Sequence, residues 1–446
     1  MPADLGDKLR RFNAAGRSAP ARPPPRPAGI ESVVAGRFEP TTYGECFVVE
    51  QRFALSWRQG AFPLSTALAL SPLARELLGR ADCDEALEPR RALFLDTETT
   101  GLSGGTGTYA FMVGLGHVDG DDFLLRQYFM RHPGEEAALL AALEDILAAF
   151  PIWITFNGKA FDAPLLDTRF RYTRRRPGPA PRLHVDLLHP ARRLWRNHLP
   201  SCALGTLERT LLGVRRQDDV PSWMIPTLYF DYVRRGQCEP LRDVFTHNTH
   251  DLLSLAALLG LVGQVLHEPH RYAERVDLVA VLRMYAQARR AEEAADWCQA
   301  ALAALPPSTR GPLAWELAAL LRRLGRRERA AELWRELARN GGPWSVAAQV
   351  ELAKHLEHGE RDYRAAARAV EAALAALAVS RLPAAEVERA QLERRLGRLR
   401  YRARLEQDLA RVDGPITQTS RRSRPRPHAT DRTLDGGSPS LRGIGG

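Results

Sequence analysis

Phe94-Leu95-Asp96-Thr97-Glu98-Thr99-Thr100-Gly101-Leu102 carries an apolar run into two carboxylates and stops at a glycine. Side chains alternate faces along a strand, so Asp96 and Glu98, two residues apart, point the same way and can converge on one cation. Two like charges at the end of a buried strand are costly unless something positive neutralises them. A hard cation such as Mg²⁺ or Mn²⁺ suits these oxygen ligands. Asp-x-Glu alone also suits an exposed strand, but the apolar lead-in argues against that here.

Outward from this stretch the pattern is that of an α/β domain. Leu93 to Leu95 reads as a buried strand, Ala110 to His117 as a second and Phe123 to Met130 as a third, an antiparallel start. An amphipathic helix opens at Gly134 and runs to about Ala149, Ile152 to Phe156 is a short buried strand, and Leu183 to Leu187 suits a fifth. A strand meander followed by alternating helices and strands predicts a mixed sheet covered by helices.

Two later segments supply more acids. Ile154-Thr155-Phe156-Asn157-Gly158-Lys159-Ala160-Phe161-Asp162 breaks a strand at Asn-Gly and enters a helix, leaving Asp162 near the helix start as a ligand or a capping carboxylate. Phe245 to Leu255 opens an amphipathic helix running to about Val265. His247 and Asp251, four apart, project from one face, and His250 points elsewhere. Four carboxylates and an imidazole meet the needs of two-metal phosphodiester hydrolysis: one ion activates water, the other stabilises the leaving oxygen, and a neutral imidazole accepts a proton.

In this order and spacing, Asp96, Glu98, Asp162, His247 and Asp251 resemble the DEDD superfamily of 3′-to-5′ exonucleases. Leu102 to Thr108, Asp186 to Arg193 and Ile225 to Phe230 are similar to the YprB-type ribonuclease-H-like proteins within it. The resemblance covers roughly residues 40 to 262. It implies a ribonuclease-H-like fold, two divalent ions held by Asp96, Glu98, Asp162 and Asp251, and nuclease activity with His247 as base. The superfamily's His branch usually spaces its His five residues before the last Asp; the spacing of four here is that of the Tyr branch, so His247 stands in the Tyr place.

The ends of the chain, 1–30 and 414–446, are rich in Pro, Gly, Ser and Arg, and read as disordered. Residues 31–90 read as an extension packed on the nuclease domain, and 91–268 as that domain. From 275 to 412 the text is helical. Glu292-Glu293-Ala294-Ala295-Asp296-Trp297 matches Arg329-Ala330-Ala331-Glu332-Leu333-Trp334 at an offset of 37, and Arg364-Ala365-Ala366-Ala367 follows. That period predicts an all-α, tetratricopeptide-like repeat with Gly325 at a turn, whose concave face suits a protein partner. Trp297, Trp315 and Trp334 suit its core.

The net charge of +10 is weak evidence for nucleic acid: the two tails each carry six basic against two acidic residues, which leaves +2 for the body. Arg171 to Arg176 and Arg192 to Arg196 interleave cations with Tyr172 and Trp195, and together suit a single strand of DNA or RNA. A solvated Arg face with Trp195 in the core is the alternative. Thr97, Asn157, Lys159, Arg192 and Arg193 are the candidate nucleic-acid contacts, Lys159 being equally compatible with a solvated side chain. Asp186 suits a strand-end cap better than a fifth ligand. Gly101 to Gly107 lacks the Gly-Lys-Ser/Thr of a phosphate loop and suits a tight turn. Five scattered cysteines predict reduced thiols, and no uncharged apolar run reaches a membrane-spanning length, so a cytoplasmic protein with no membrane partner is expected. The competing function is a nucleic-acid-binding scaffold with weak or no cleavage that recruits a partner through its repeats.

Overall fold

The computed structural model describes residues 29–79, 85–101, 107–174, 180–217, 219–378 and 383–412. The turn expected at 102–106, Arg175, Arg176 and nearly all of both tails lie outside them. Gly29 and Ile30 are described, and Ile30 is fully buried in the main core.

The sheet begins in the N-terminal extension. Strands β1 (Arg37–Thr41) and β2 (Gly44–Ala54) form a hairpin, and a two-stranded hairpin follows from β3 (Arg58–Gln59) and β4 (Phe62–Pro63). Helix α1 (Pro72–Leu78) is capped by Ser71, whose hydroxyl accepts from the Ala74 amide. Then come β5 (Ala92–Thr99), β6 (Ala110–Asp119), β7 (Asp122–Phe129), α2 (Glu136–Ala149), β8 (Ile152–Thr155), α3 (Asp162–Tyr172), β9 (Leu183–Asp186) and α4 (Leu188–Trp195). The seven-stranded order is β1-β2-β7-β6-β5-β8-β9. It is antiparallel from β1 to β5 and parallel across β5, β8 and β9, hence mixed. Residues 37–54 thus belong to the same sheet, with β1 at its edge and β2 paired to β7.

A short α5 (Leu204–Leu207) continues into one π-helical turn, Glu208–Leu212, followed by α6 (Ile225–Arg235) and α7 (Leu241–His267). Leu93 and Leu95 share a core with Leu139 and Leu143 of α2 and Leu166 and Phe170 of α3, while Phe94 turns the other way onto Phe123. Pleat alternation therefore sends Asp96 and Glu98 to the Phe94 side and Thr97 to the α2–α3 side. Helix α7 packs on β5 and β6. By length and composition it could cross a membrane, but 83% of its apolar stretch is buried inside the protein: it is the central core helix.

The remaining helices are α8 (Leu278–Gln287), α9 (Ala291–Ala304), α10 (Gly311–Arg323), α11 (Arg327–Asn340), α12 (Ser345–His355), α13 (Tyr363–Ala378) and α14 (Pro383–Val412). The three matching sequence blocks fall in α9, α11 and α13. Trp297 and Trp334 are buried, and half-buried Trp315 stacks on Trp344. Gly325 turns α10 into α11 with φ of +79°. The chain forms two compact units, divided at 348/349. Near 275, α8 packs on α4, the Asp277 amide donates to the Leu194 carbonyl at 2.8 Å, and Asn197 donates to Asp277 at 2.9 Å.

Candidate active site

The strand carrying Asp96 and Glu98 ends beside the end of β8, so their C-terminal ends open one cleft. Crevices at such strand ends are where open α/β sheets bind ligands. The cleft has a volume of about 310 Å³ and is lined by Asp96, Thr97, Glu98, Thr99, Asn157 and Asp162 among others, with Ser222, His247 and Asp251 facing them. All four predicted carboxylates and the predicted imidazole therefore meet in one place. Ligand atoms of Glu98, His247 and Asp251 lie within 4.8 Å of one another.

Three of the four acids are held by a neighbour. Asn248, fully buried on α7, donates from Nδ2 to Asp96 Oδ2 at 2.8 Å, and Gln127 Nε2 donates to Asn248 Oδ1 at 3.0 Å. This approach requires Gly114, paired with Asp96 across β5 and β6: a Cβ there would sit 2.1 Å from Asn248 Oδ1. Asp162 is the first residue of α3 rather than its cap, and accepts from Thr97 Oγ1 at 2.5 Å. Asp251 and His247 occupy one face of α7, with His247 Nε2 3.4 Å from Asp251 Oδ2.

The carboxylates of the cluster disfavour one another's charge. Burial, then the nearby charges of Asp251, Glu98 and Asp162, raise the Asp96 carboxyl well above its ordinary range. Burial and the charges of Asp251 and Asp162 do the same to Glu98. Burial pushes Asp162 up to about 6, against the Thr97 hydrogen bond. Such mutually repelling carboxylates at the mouth of a cleft match the donor chemistry of a hard divalent ion, so the residues present fit the expected metals.

Four residues absent from the sequence reading, Asp219, Arg216, Glu208 and Asn248, complete the site. Asp219 Oδ1 lies 2.8 Å from His247 Nδ1. Arg216, in the loop before Asp219, donates to Glu208 and to Asp251 and lies 3.2 Å from Asp219. The only available signal was a short charged loop between Gly213 and Pro221. Asn248 was more accessible to reasoning: a polar residue three before Asp251 lies on that residue's helical face.

The candidate nucleic-acid contacts separate. Asn157 lines the cleft with φ of +64°, a left-handed conformation that asparagine tolerates. Thr97 also lines the cleft; it is buried and its hydroxyl donates to Asp162. Lys159, Arg192 and Arg193 are not among the cleft-lining residues; the two arginines are exposed on α4. Trp195 is 1% exposed, a core residue that no base can stack on. Asp186 accepts from the amides of Asn157, Lys159 and Leu188 at 2.8 to 3.1 Å, the strand-end role expected of it. His250 is not among the cleft-lining residues either. The four described cysteines form no disulfide.

Residues 93–262 match the family model of the ribonuclease H superfamily. Over 359 residues the chain is 31% identical to a protein of Bacillus subtilis (strain 168) named uncharacterized protein YprB, an alignment covering 80% of this chain and 86% of the relative.

Proposed function

From the premise that the chain belongs to the YprB family and carries a ribonuclease H superfamily domain, we propose that it is a metal-dependent 3′-to-5′ exonuclease of the DEDD type acting on single-stranded DNA or RNA. The observation that carries this reading is the convergence of Asp96, Glu98, Asp162, His247 and Asp251 on one cleft. Two divalent ions, Mg²⁺ or Mn²⁺, bound by the four carboxylates would lower the pKa of an attacking water and stabilise charge on the leaving oxygen.

The chain's own residues do the rest. Asn248 aims Asp96, and Thr97 aims Asp162. With its Nδ1 proton donated to Asp219, His247 presents the Nε2 lone pair to the cleft and takes the proton of the attacking water; Asp219 is a positioning residue. Trp223 follows cleft-lining Ser222 and is 71% exposed, which makes it a stacking surface for an unpaired base. Asn157 and the exposed Arg192 and Arg193 are proposed phosphate contacts, and the helices from 275 to 412 a tetratricopeptide-like platform for a protein partner.

The test is degradation of end-labelled single-stranded DNA and RNA by the full chain in Mg²⁺ or Mn²⁺, beside Asp96→Asn. Stepwise loss from the 3′ end by the parent chain only supports the reading and selects the substrate. Binding of the strand without cleavage, unchanged by Asp96→Asn, replaces it with the scaffold.

A further inference from the structure

Arg216 is a permanent cation inside the acidic cluster, because a guanidinium does not give up its proton in a protein. Its side chain is 10% exposed, with three carboxylates around it: Glu208 Oε1 at 2.5 Å, Asp219 Oδ2 at 3.2 Å and Asp251 Oδ1. Its Nη1 also lies 3.4 Å from His247 Nδ1. Of these partners Asp251 belongs to the proposed metal centre; its Oδ1 is engaged by Arg216, and its Oδ2 lies 3.4 Å from His247 Nε2. A divalent ion that uses Asp251 as a ligand has to contend with the guanidinium.

Arg216 also has a place to remain once Asp251 is taken. Glu208 is almost wholly buried on the π-helical turn and accepts from Ser254 Oγ at 2.5 Å, while Gln59 Nε2 of β3 donates to that hydroxyl at 2.9 Å. The turn is locked from the same side: the Ala61 amide donates to the Leu212 carbonyl at 2.7 Å, and Gly60 is needed there because a Cβ would lie 2.1 Å from that oxygen. The N-terminal hairpin thereby fixes the anchor that holds Arg216. In addition Arg216 Nε is buried with no hydrogen-bond partner among the described residues, so the guanidinium is not fully satisfied where it stands.

Resting on the metal-centre reading above, we infer that Arg216 is a built-in counter-ion that pairs with Asp251 until a divalent cation claims this carboxylate, and that Glu208, fixed by Ser254 and Gln59, sets how readily it lets go. Arg216 is thus a positioning residue that tunes metal affinity.

The experiment is calorimetric titration of the full chain with Mn²⁺ alone, without substrate. The parent chain is compared with Glu208→Gln and with the double variant Glu208→Gln/Arg216→Met, which has the parent's net charge and removes the guanidinium together with its most deeply buried carboxylate partner. The double variant is expected to bind Mn²⁺ at least about tenfold more tightly, the factor that ~1.4 kcal/mol of relieved pairing gives. Glu208→Gln alone is expected to bind it more weakly, since the guanidinium then leans harder on Asp251. Equal affinities in all three, or weaker binding by the double variant, overturn the inference and leave the metal centre standing. No Mn²⁺ bound by any of them overturns both.

Discussion

Asp162→Asn is expected to make the metal-free protein more stable at pH 8 while removing the proposed cleavage activity. Asp162 is 5% exposed, and burial lifts its pKa from the ordinary 3.8 to about 6. The unfolded chain releases this proton near 3.8 and the folded chain near 6, so between these values the folded state binds more protons and stability falls as pH rises. The penalty is complete above about pH 6 and absent well below pH 4. At 1.36 kcal/mol per pH unit it comes to on the order of 3 kcal/mol at pH 8, and about half of that at pH 5. Asparagine keeps the shape and can still accept from Thr97, but carries no charge. Denaturant unfolding in EDTA at both pH values reads the difference. Adding Mn²⁺ at pH 8 works in the opposite sense, stabilising the parent chain by ~2.7 kcal/mol at a hundred times its Kd and the variant by less. If Asp162→Asn is no more stable than the parent at pH 8, or gains as much at pH 5 as at pH 8, the electrostatic account of this cluster is wrong.

Asn248→Ala removes the donor that aims Asp96 and takes a partner from buried Gln127; about 10- to 100-fold loss of cleavage or metal affinity is expected in steady-state and Mn²⁺-binding assays. Asp219→Asn weakens the anchor of His247, and since Asp219 is 27% exposed the expected loss is about tenfold in kcat, or ~1.4 kcal/mol, with KM for the strand unchanged. Trp223→Ala is expected to raise KM for a single strand by about 5- to 150-fold, corresponding to ~1–3 kcal/mol of lost stacking, with Trp223→Phe recovering most of it. Cleavage of a small nitrophenyl phosphodiester, which has no base to stack, is expected to be insensitive to both Trp223 changes.

Much of the fold was legible because its elements are written in local periodicity. The strands from 92 to 129, the helix from 136 and the strand from 152 are visible as alternation or as apolar runs, and their breaks coincide with glycine, asparagine or proline. The N-terminal strands were harder: Cys46 to Val49 reads as apolar, but nothing local says that β2 will pair with β7, 68 to 82 residues away. The repeat period placed Gly325 at its turn. It was silent about α8 packing on α4, which comes from contacts between segments that share no pattern.

For the site, the sequence by itself determined the elements that rest on spacing within one strand or one helix turn. Asp96 and Glu98 share a face because pleat alternation demands it, and His247 and Asp251 do so because four residues make about one helical turn. Only the tertiary structure decided what surrounds them. Thr97 faces Asp162 because α3 docks on the opposite side of β5, and Trp195 goes into the core although its neighbours are arginines. Arg216, Glu208 and Asp219 come from a turn and a loop without periodicity, carried to α7 by the docking of the N-terminal hairpin and by buried ion pairing. The physical reason is one of range: backbone geometry fixes the direction of a side chain over a few residues, whereas its charge partners are selected by which distant surfaces bury one another.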